Sequence, residues 1–207
     1  MLKTIEREIA PPAIVPAHAA QADGLFGALT VAFAADPAAR WMFPDPQQYL
    51  RWFPPFARAF GGAAIAHGTA WTDEDLAAAA LWLSPDAHPD DEALADVIAD
   101  GVAGREKRYA YTVFDEMARH HPAVPHWYLP LIGVDPARQG RGLGAALLQP
   151  VLACCDEAGA PAYLEATGPR NRALYERHGF RAVAEIRVGD CPPITPMLRP
   201  PRPRSGG

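Results

Sequence analysis

Cysteine is scarce in this sequence, which contains three: Cys154, Cys155 and Cys191. An adjacent pair and one distant residue do not have the spacing of a disulfide framework, so the sequence excludes a small fold held by disulfides. The pair falls within a helical pattern, where small buried thiols are expected, and no neighbouring residue in the sequence marks either as a nucleophile. We therefore expect no chemistry through a cysteine.

An excess of positive charge and a long apolar run are also lacking. Lys and Arg number 19 against 24 Asp and Glu, a net charge of -5, which argues against nucleic acid or an anionic membrane as the main partner. Although 49% of the residues are apolar, no uninterrupted run is long enough to cross a bilayer. The first eight residues mix charges without an apolar signal core, so we expect a cytoplasmic protein.

A chain of 207 residues is long enough for one domain with a full hydrophobic core. We expect a charged, flexible lead-in over residues 1–12 and a single folded domain over residues 13–198. Residues 199–207 consist only of proline, arginine, serine and glycine, so we expect a disordered tail there.

Apolar periodicity and breaker residues predict a mixed α/β chain. Strands are predicted near residues 13–16, 69–73, 76–83, 127–134, 162–167, 180–188 and 194–198. Helices are predicted near residues 21–35, 47–60, 90–104, 106–120, 143–158 and 171–178. The alanine run within 76–83 would favour a helix on propensity alone, but its short connection to the preceding strand favours a hairpin.

Residues 39–46 are aromatic yet interrupted by proline, which predicts a packed loop. Trp41 and Phe43 in this loop would either line a ligand pocket or cap the core. In the helix that follows, Pro54 and Pro55 are expected to kink or split the chain.

A glycine-rich turn joins the apolar strand at 127–134 to an alanine- and leucine-rich helix. It reads Gln139, Gly140, Arg141, Gly142, Leu143, Gly144 and Ala145. Glycines at the opening of a helix leave backbone N–H groups uncovered beside the positive end of the helix dipole. The turn therefore predicts a cradle for an anion, most often a phosphate.

Spacing separates the kinds of phosphate loop. A nucleoside-triphosphate loop ends in Gly-Lys-Ser/Thr, which is missing here. A dinucleotide fingerprint fits poorly, because the glycines follow a polar connection rather than the strand itself, although Glu165 stands where a ribose-binding acid would. That interpretation stays open, as does a helix start that is merely rich in glycine.

The pattern Gln-x-x-Gly-x-Gly after Val134-Asp135-Pro136 resembles the acetyl-CoA pyrophosphate loop of the GNAT superfamily of N-acetyltransferases. A second motif, Asn171-x-x-Leu174-Tyr175-x-x-x-Gly179-Phe180, resembles the other hallmark of the same superfamily. The stretches 32–40, 127–129, 164–171 and 175–177 look like the branch that contains puromycin N-acetyltransferase. Residues 47–125 carry no match.

The resemblance implies a GNAT fold: a mixed, mostly antiparallel central sheet flanked by helices, with a splayed central strand. It also implies that Pro130 is tolerated because that strand carries a bulge and opens toward the pantetheine arm of the cofactor. Acetyl-CoA would be the co-substrate, without a metal. Its binding residues would be Ile132, Gly133, Val134, the turn residues Gln139, Gly140, Arg141, Gly142, Leu143, Gly144 and Ala145, and finally Asn171 and Tyr175.

The chemistry of amine acetylation needs a base, an oxyanion donor and an acid. An alkylamine is mostly protonated at neutral pH, so a base must take its proton, and a free N–H on the splayed strand, with Val134 among the candidates, would stabilise the oxyanion. The resemblance places Tyr175 beside the sulfur as general acid for the thiolate. Glu165 is the candidate base or the ligand for the acceptor's ammonium group. The alternative is a structural role, in which Glu165 forms an internal ion pair with Arg170 or Arg172.

Tyr128 and His126 are weaker candidates for the base. Trp41, Phe43, Tyr128 and Glu165 are the expected substrate-binding residues. Asn171 would position the cofactor; the alternative is that it only caps the helix. The pair His120-His121 is expected at a helix end, where positive charge is favoured, and we expect no metal there.

We therefore expect an N-acetyltransferase that moves an acetyl group from acetyl-CoA to a primary amine of a small molecule, by direct attack in a ternary complex. A protein or peptide N-acetyltransferase and a non-catalytic CoA-binding sensor are the alternatives. Dimers are common in the superfamily, so a homodimer is one expected form of assembly.

Overall fold

The computed structural model describes residues 12–201. The predictions of a flexible lead-in and a disordered tail fall almost wholly on residues outside that range. Strand β7 runs to Arg199, which is 2% exposed, so the folded part extends one residue beyond the predicted boundary. Within residues 12–201 no helix is long and apolar enough to cross a membrane.

Seven strands and eight helices make up the described fold. The strands are β1 (Ile14–Pro16), β2 (Ala70–Asp73), β3 (Ala78–Leu83), β4 (Trp127–Val134), β5 (Ala162–Ala166), β6 (Arg181–Ala182) and β7 (Thr195–Arg199). The helices are α1 (Ala22–Ala32), α2 (Pro37–Met42), α3 (Pro46–Gly61), α4 (Ala63–Ala66), α5 (Asp91–Gly101), α6 (Gly104–His120), α7 (Leu143–Ala158) and α8 (Pro169–Arg177).

One sheet organises these elements, in the order β1-β2-β3-β4-β5-β7-β6. Every neighbouring pair is antiparallel except β4 and β5, which run parallel and are joined by the crossover helix α7. Helices α1, α3, α5 and α6 contribute to the core on one face, and α7 and α8 to the core on the other. The fold class expected from the sequence is confirmed.

The alanine run forms strand β3, as predicted. All six of its residues are buried, because alternate side chains enter the two cores: Ala79, Leu81 and Leu83 on one face and Ala78, Ala80 and Trp82 on the other. Burial on both faces outweighs the helix propensity of alanine, which amounts to a few tenths of a kcal/mol per residue, about 0.5 on average.

The prediction of a loop over residues 39–46 is wrong, because residues 37–42 form helix α2. The Asp36 carboxylate accepts hydrogen bonds from the N–H groups of Ala38 and Ala39, and Pro37 occupies the first helical position. Aspartate followed by proline is a favoured helix start, so the pair that ends α1 also opens α2. Likewise, Pro54 and Pro55 do not split α3, which is continuous over Pro46–Gly61.

The predicted strand over residues 180–188 is much shorter in the structure. Only Arg181 and Ala182 form β6, and Ile186 makes an isolated bridge to Ile194. The residues from 187 to 193 cross toward α2 and α6 instead of extending the sheet edge, as the contacts of Asp190 described below demonstrate.

Candidate active site

Strand β4 parts from β5 midway along its length. The two strands pair only through Trp127–Leu129 of β4. On its other side β4 pairs with β3, where Leu131 faces Leu81 but Tyr128 faces Leu83, so one extra residue of β4 forms a bulge at Leu129–Pro130. The proline lies where a ladder hydrogen bond is not required, and the predicted splay is confirmed.

The alternation of hydrogen bonds along β3 and β4 decides which backbone groups face the opening. The N–H of Asp135 donates to Ala77 at 2.8 Å, so every second residue back from Asp135, including Gly133, bonds toward β3. The N–H and C=O groups of Ile132 and Val134 therefore point into the gap between β4 and β5. Ile132, Gly133 and Val134 are the three residues predicted there to hold the cofactor, and this role stays a prediction.

Gly133 has a different reason to be glycine. A Cβ at this position would lie 2.6 Å from the Cβ of Ala32 and 3.1 Å from a methyl group of Leu29. Helix α1 therefore packs directly on the backbone of β4 at this point. This close approach accounts for the glycine without a ligand.

The glycine-rich turn is open where a ligand would approach. Gly140 and Gly142 have φ angles of 78° and 83°, which favour glycine, and nothing lies within 4 Å of where their Cβ atoms would be. Arg141 between them is exposed. Helix α7 begins at Leu143, so the N–H groups of its first turn, those of Leu143, Gly144 and Ala145, lack partners within the helix.

Two further contacts hold the turn in place. Gln139 donates from its side-chain amide to the Val134 carbonyl at 3.1 Å and accepts from Arg170 at 2.6 Å, so it ties β4 to α8. A Cβ on Gly144 would lie 3.2 Å from Leu174, and the Leu143 side chain is buried in the core. The uncovered N–H groups, the missing side chains and the splayed strand together fit a pyrophosphate with an extended arm.

Tyr175 lies on α8 beside a polar cluster. Asn171 accepts from the Gly168 N–H at 3.0 Å and donates to the Thr167 hydroxyl at 3.1 Å, which is the helix capping considered as an alternative to a cofactor contact. The Thr167 hydroxyl in turn donates to Asp36. Burial, reinforced by the carboxylates of Asp36 and Glu165, raises the pKa of Tyr175 well above its usual value, so the phenol stays protonated at neutral pH.

Glu165 is the buried carboxylate of the site. It lies on β5 just beyond the point where β4 departs, and 5% of its side chain is exposed. Tyr128 donates to its Oε2 at 2.9 Å, and His121 Nε2 lies 3.5 Å from its Oε1. The expected alternative of an ion pair with Arg170 or Arg172 is wrong, because those residues bind Gln139 and Glu176 instead.

The predicted substrate residues of α2 take different positions. The Trp41 indole N–H donates to Asp190 at 3.1 Å, and Arg105 of α6 pairs with the same carboxylate. This contact ties α2, α6 and the segment before β7 together. Phe43 is fully buried and packs edge to face against Phe56, so its side chain belongs to the core.

Four residues of this region were missed by sequence reasoning. The sequence predicts His121 only as part of a histidine pair at a helix end, and it gives no role in the site to Asp36, Tyr163 or Asp190. The Asp-Pro dipeptide is a signal that could have identified Asp36 as a helix cap. Tyr163 precedes Glu165 by two residues on β5, so the alternation of side chains along a strand is a signal that could have placed it beside Glu165. His121 and Asp190 come from distant parts of the chain, and no local pattern joins them to Glu165 or Trp41.

A splayed strand, a glycine-rich turn at a helix start and a buried acid beside a protonated phenol define the class: this is an acyltransferase of the GNAT type. The family model for the acetyltransferase (GNAT) family matches residues 29–180, and the chain belongs to that family. The family uses acetyl-CoA as co-substrate, and among residues 12–201 no cluster of three or more His, Cys, Asp or Glu could hold a metal ion.

Three similar proteins illustrate the relationship. An uncharacterized N-acetyltransferase of Schizosaccharomyces pombe is 35% identical over 82 residues, which cover 38% of this chain and 33% of that protein, so the chain spans about a third of the length of this curated relative. A Corynebacterium glutamicum structure named as histone acetyltransferase HPA2 and related acetyltransferase is 26% identical, with a TM-score of 0.68 over 95% of this chain and 99% of that one.

The third is the polyamine N-acetyltransferase of Drosophila melanogaster. Its structure has a TM-score of 0.61 at 14% identity and covers 91% of this chain and 99% of that one. At this level of identity the likeness concerns the fold alone.

Proposed function

We propose that this acetyltransferase moves an acetyl group from acetyl-CoA to a primary amine of a small molecule, by direct attack while both substrates are bound. The observation that carries the proposal is the buried Glu165 carboxylate at the point where β4 and β5 part, with the protonated Tyr175 phenol close enough for Glu165 to raise its pKa. Glu165 would be the base and Tyr175 the acid, beside the gap between β4 and β5 that would receive the cofactor.

Acetyl-CoA would bind along the glycine-rich turn and the splayed part of β4. The open turn and the first N–H groups of α7, at Leu143, Gly144 and Ala145, would hold the pyrophosphate. The backbone groups of Ile132 and Val134 would pair with the pantetheine arm. When bound, acetyl-CoA supplies an acetyl thioester, whose carbonyl is open to attack by an amine.

Glu165 would act as the base. A carboxylate with 5% exposure, held by Tyr128 at 2.9 Å, can bind the ammonium of the acceptor and take its proton, which leaves the amine neutral for attack. The N–H of Val134 would stabilise the developing oxyanion. Tyr175, kept protonated, would protonate the departing sulfur.

A small acceptor is supported by the burial of Glu165 beside aromatic side chains. Tyr128 donates to this carboxylate, and the His121 ring lies at its other oxygen. The fold relative from Drosophila is named for the acetylation of a polyamine, and its product there is N-acetylagmatine. A single buried carboxylate among aromatic rings suits one ammonium group on an apolar or aromatic body.

Incubation with acetyl-CoA and a mixed panel of amines would test the proposal, with products identified by mass spectrometry. The panel contains polyamines, agmatine, arylalkylamines, amino acids, puromycin and short peptides. We expect at least one acetylated small amine, formed at least about a hundredfold more slowly by Glu165→Gln. Glu176→Gln is the matched control, because this exposed carboxylate pairs with Arg172 on α8 and should retain wild-type activity.

A protein or peptide acceptor is the second candidate, favoured by the histone acetyltransferase name carried by the similar Corynebacterium structure. Acetylated peptides without acetylated small amines would support it. Tight CoA binding with no product in any arm, and equal binding by Glu165→Gln, would refute both candidates in favour of a CoA-binding sensor.

A further inference from the structure

Two histidines extend from Glu165 toward the surface. His121 follows the last residue of α6, and His126 immediately precedes β4. His121 Nε2 lies 3.5 Å from Glu165 Oε1, and His121 Nδ1 lies 3.1 Å from His126 Nε2. His126 Nδ1 lies 2.8 Å from the carbonyl oxygen of Val124, which is 57% exposed. These contacts lead from a buried carboxylate to an exposed loop, and the 3.5 Å separation at Glu165 is the one step without a hydrogen bond among the described residues.

The contact between His126 and the Val124 carbonyl determines which ring nitrogens of the two histidines carry protons. A carbonyl can only accept, so His126 must carry a proton on Nδ1. Burial lowers the pKa of His126, which keeps its ring neutral and leaves Nε2 as an acceptor. His121 must then donate from Nδ1, and a neutral His121 presents the bare lone pair of Nε2 to Glu165.

The inner end therefore brings two acceptors face to face. Glu165 Oε2 is taken by Tyr128, whereas Oε1 is buried and has no hydrogen-bond partner among residues 12–201. The hydroxyl of Tyr163, close enough to Glu165 for the carboxylate to raise its pKa, is likewise buried without a partner in that range. A carboxylate oxygen and an imidazole lone pair at 3.5 Å repel each other unless a proton lies between them. The pair is thus arranged to gain one proton, and the gap can shorten when that proton arrives.

The surroundings hold the rings in this arrangement. The His121 ring packs against Tyr163 at 4.4 Å and edge to face against Tyr128 at 4.6 Å between ring centroids. The titratable groups that face the two histidines are Glu165, Tyr128, Tyr163 and, toward His126, also His88. Burial and the Glu165 carboxylate raise the pKa values of both tyrosines, so neither phenol carries a negative charge at neutral pH.

We propose that His121 is a proton relay for Glu165 and that His126 positions it by fixing its tautomer. This inference rests on the proposed function. An N–H bond of the acceptor ammonium breaks and leaves its electron pair on nitrogen, while an O–H bond forms on Glu165. That O–H bond then breaks as an N–H bond forms on Nε2 of His121, and the imidazolium, whose side chain is 28% exposed, releases its proton to water. Glu165 is again a carboxylate for the next acceptor.

The tautomer of His121 tests the arrangement without any acceptor. Long-range ¹⁵N–¹H correlation spectra distinguish a ring protonated on Nδ1 from one protonated on Nε2. We expect neutral His121 to carry its proton on Nδ1 in the wild-type protein, and to shift to Nε2 in His126→Phe, which removes the acceptor. A wild-type His121 protonated on Nε2 would overturn the proposal.

Kinetics tests the relay itself. We expect His121→Ala to lower kcat for an acetylated amine by about tenfold to a hundredfold, and added imidazole to restore part of it. His121→Ala should add little in the Glu165→Gln background, because the two residues act in series. His120→Ala is the matched control, since this neighbouring histidine ends α6 and makes no contact with Glu165 in the described part of the chain. Unchanged CoA affinity and melting temperature verify that the variants are folded.

The outcomes separate the two proposals. If an amine is acetylated and His121→Ala matches the wild type, or imidazole restores nothing, the relay is wrong and the proposed function stands. If no amine in the panel is acetylated, the proposed function fails, and the relay of an acceptor proton fails with it even where the spectra place the proton on Nδ1.

Discussion

Replacing Tyr175 with phenylalanine separates catalysis from stability more sharply than other single changes in the site. The ring is 4% exposed, and within residues 12–201 its hydroxyl donates no hydrogen bond to the protein. Removing the oxygen should therefore change the free energy of unfolding by less than about 0.5 kcal/mol. If Tyr175 is the general acid, kcat should fall by about a hundredfold, the low end of the general-acid range, because a thiolate is a fair leaving group even without a proton.

Tyr49→Phe is the matched control with the opposite expectation. Tyr49 is equally buried, but its hydroxyl donates at 2.7 Å to the Thr30 carbonyl in the last turn of α1. The variant leaves that buried carbonyl unpaired, so it should lose about 1–3 kcal/mol of stability while kcat is kept. Steady-state kinetics and chemical denaturation of the two variants together give the result.

The pH dependence supplies a further constraint on Tyr175. Burial, Asp36 and Glu165 all raise its pKa above the usual value near 10, so the phenol is protonated from pH 6 to pH 9. The kcat profiles of wild type and Tyr175→Phe should be parallel over this range. Wild-type kcat in Tyr175→Phe, or a stability loss equal to that of Tyr49→Phe, would refute the role assigned to the hydroxyl.

Three other predictions follow from the same structure. Gly142→Ala and Gly159→Ala place a side chain at φ angles of 83° and 66° at the two ends of α7, so each should lower the free energy of unfolding, measured by chemical denaturation, by about 1–2 kcal/mol. Only Gly142→Ala should weaken the binding of CoA, measured by calorimetry. Gly133→Ala would set a methyl group 2.6 Å from the Cβ of Ala32 and should destabilise the fold by about 1–3 kcal/mol; full stability would show that α1 can move away. Burial raises the pKa values of four tyrosines: Tyr49, Tyr128, Tyr163 and Tyr175. Their contribution to the free energy of unfolding is therefore fully present below pH about 10, the pKa of an unfolded tyrosine, and should be lost as the pH rises further. Phenolate absorbance from these residues should appear only when the protein unfolds.

Much of the fold was readable from local pattern. The bounds of β4 were predicted to the residue, since an apolar run between a proline-rich hinge and an Asp-Pro turn has clear ends. Helix α2 was missed because Asp36-Pro37 can end one helix and begin another, and only the hydrogen bonds of the Asp36 carboxylate distinguish the two. The strand expected over residues 180–188 failed because alternation in the sequence does not reveal whether a sheet edge is available to pair with.

The candidate site also has one part that the sequence predicts and one part that it does not. The sequence by itself determined the proposed cofactor side, because the glycines at 140 and 142 and the helix that follows lie within one short stretch, and their chemistry depends on backbone geometry that neighbouring residues set. Only the tertiary structure decided the acceptor side. Glu165 could pair with the nearby Arg170 as far as the sequence tells, yet it meets Tyr128 and His121. These partners reach it from a neighbouring strand and from the end of α6, and only the packing of the sheet brings them together.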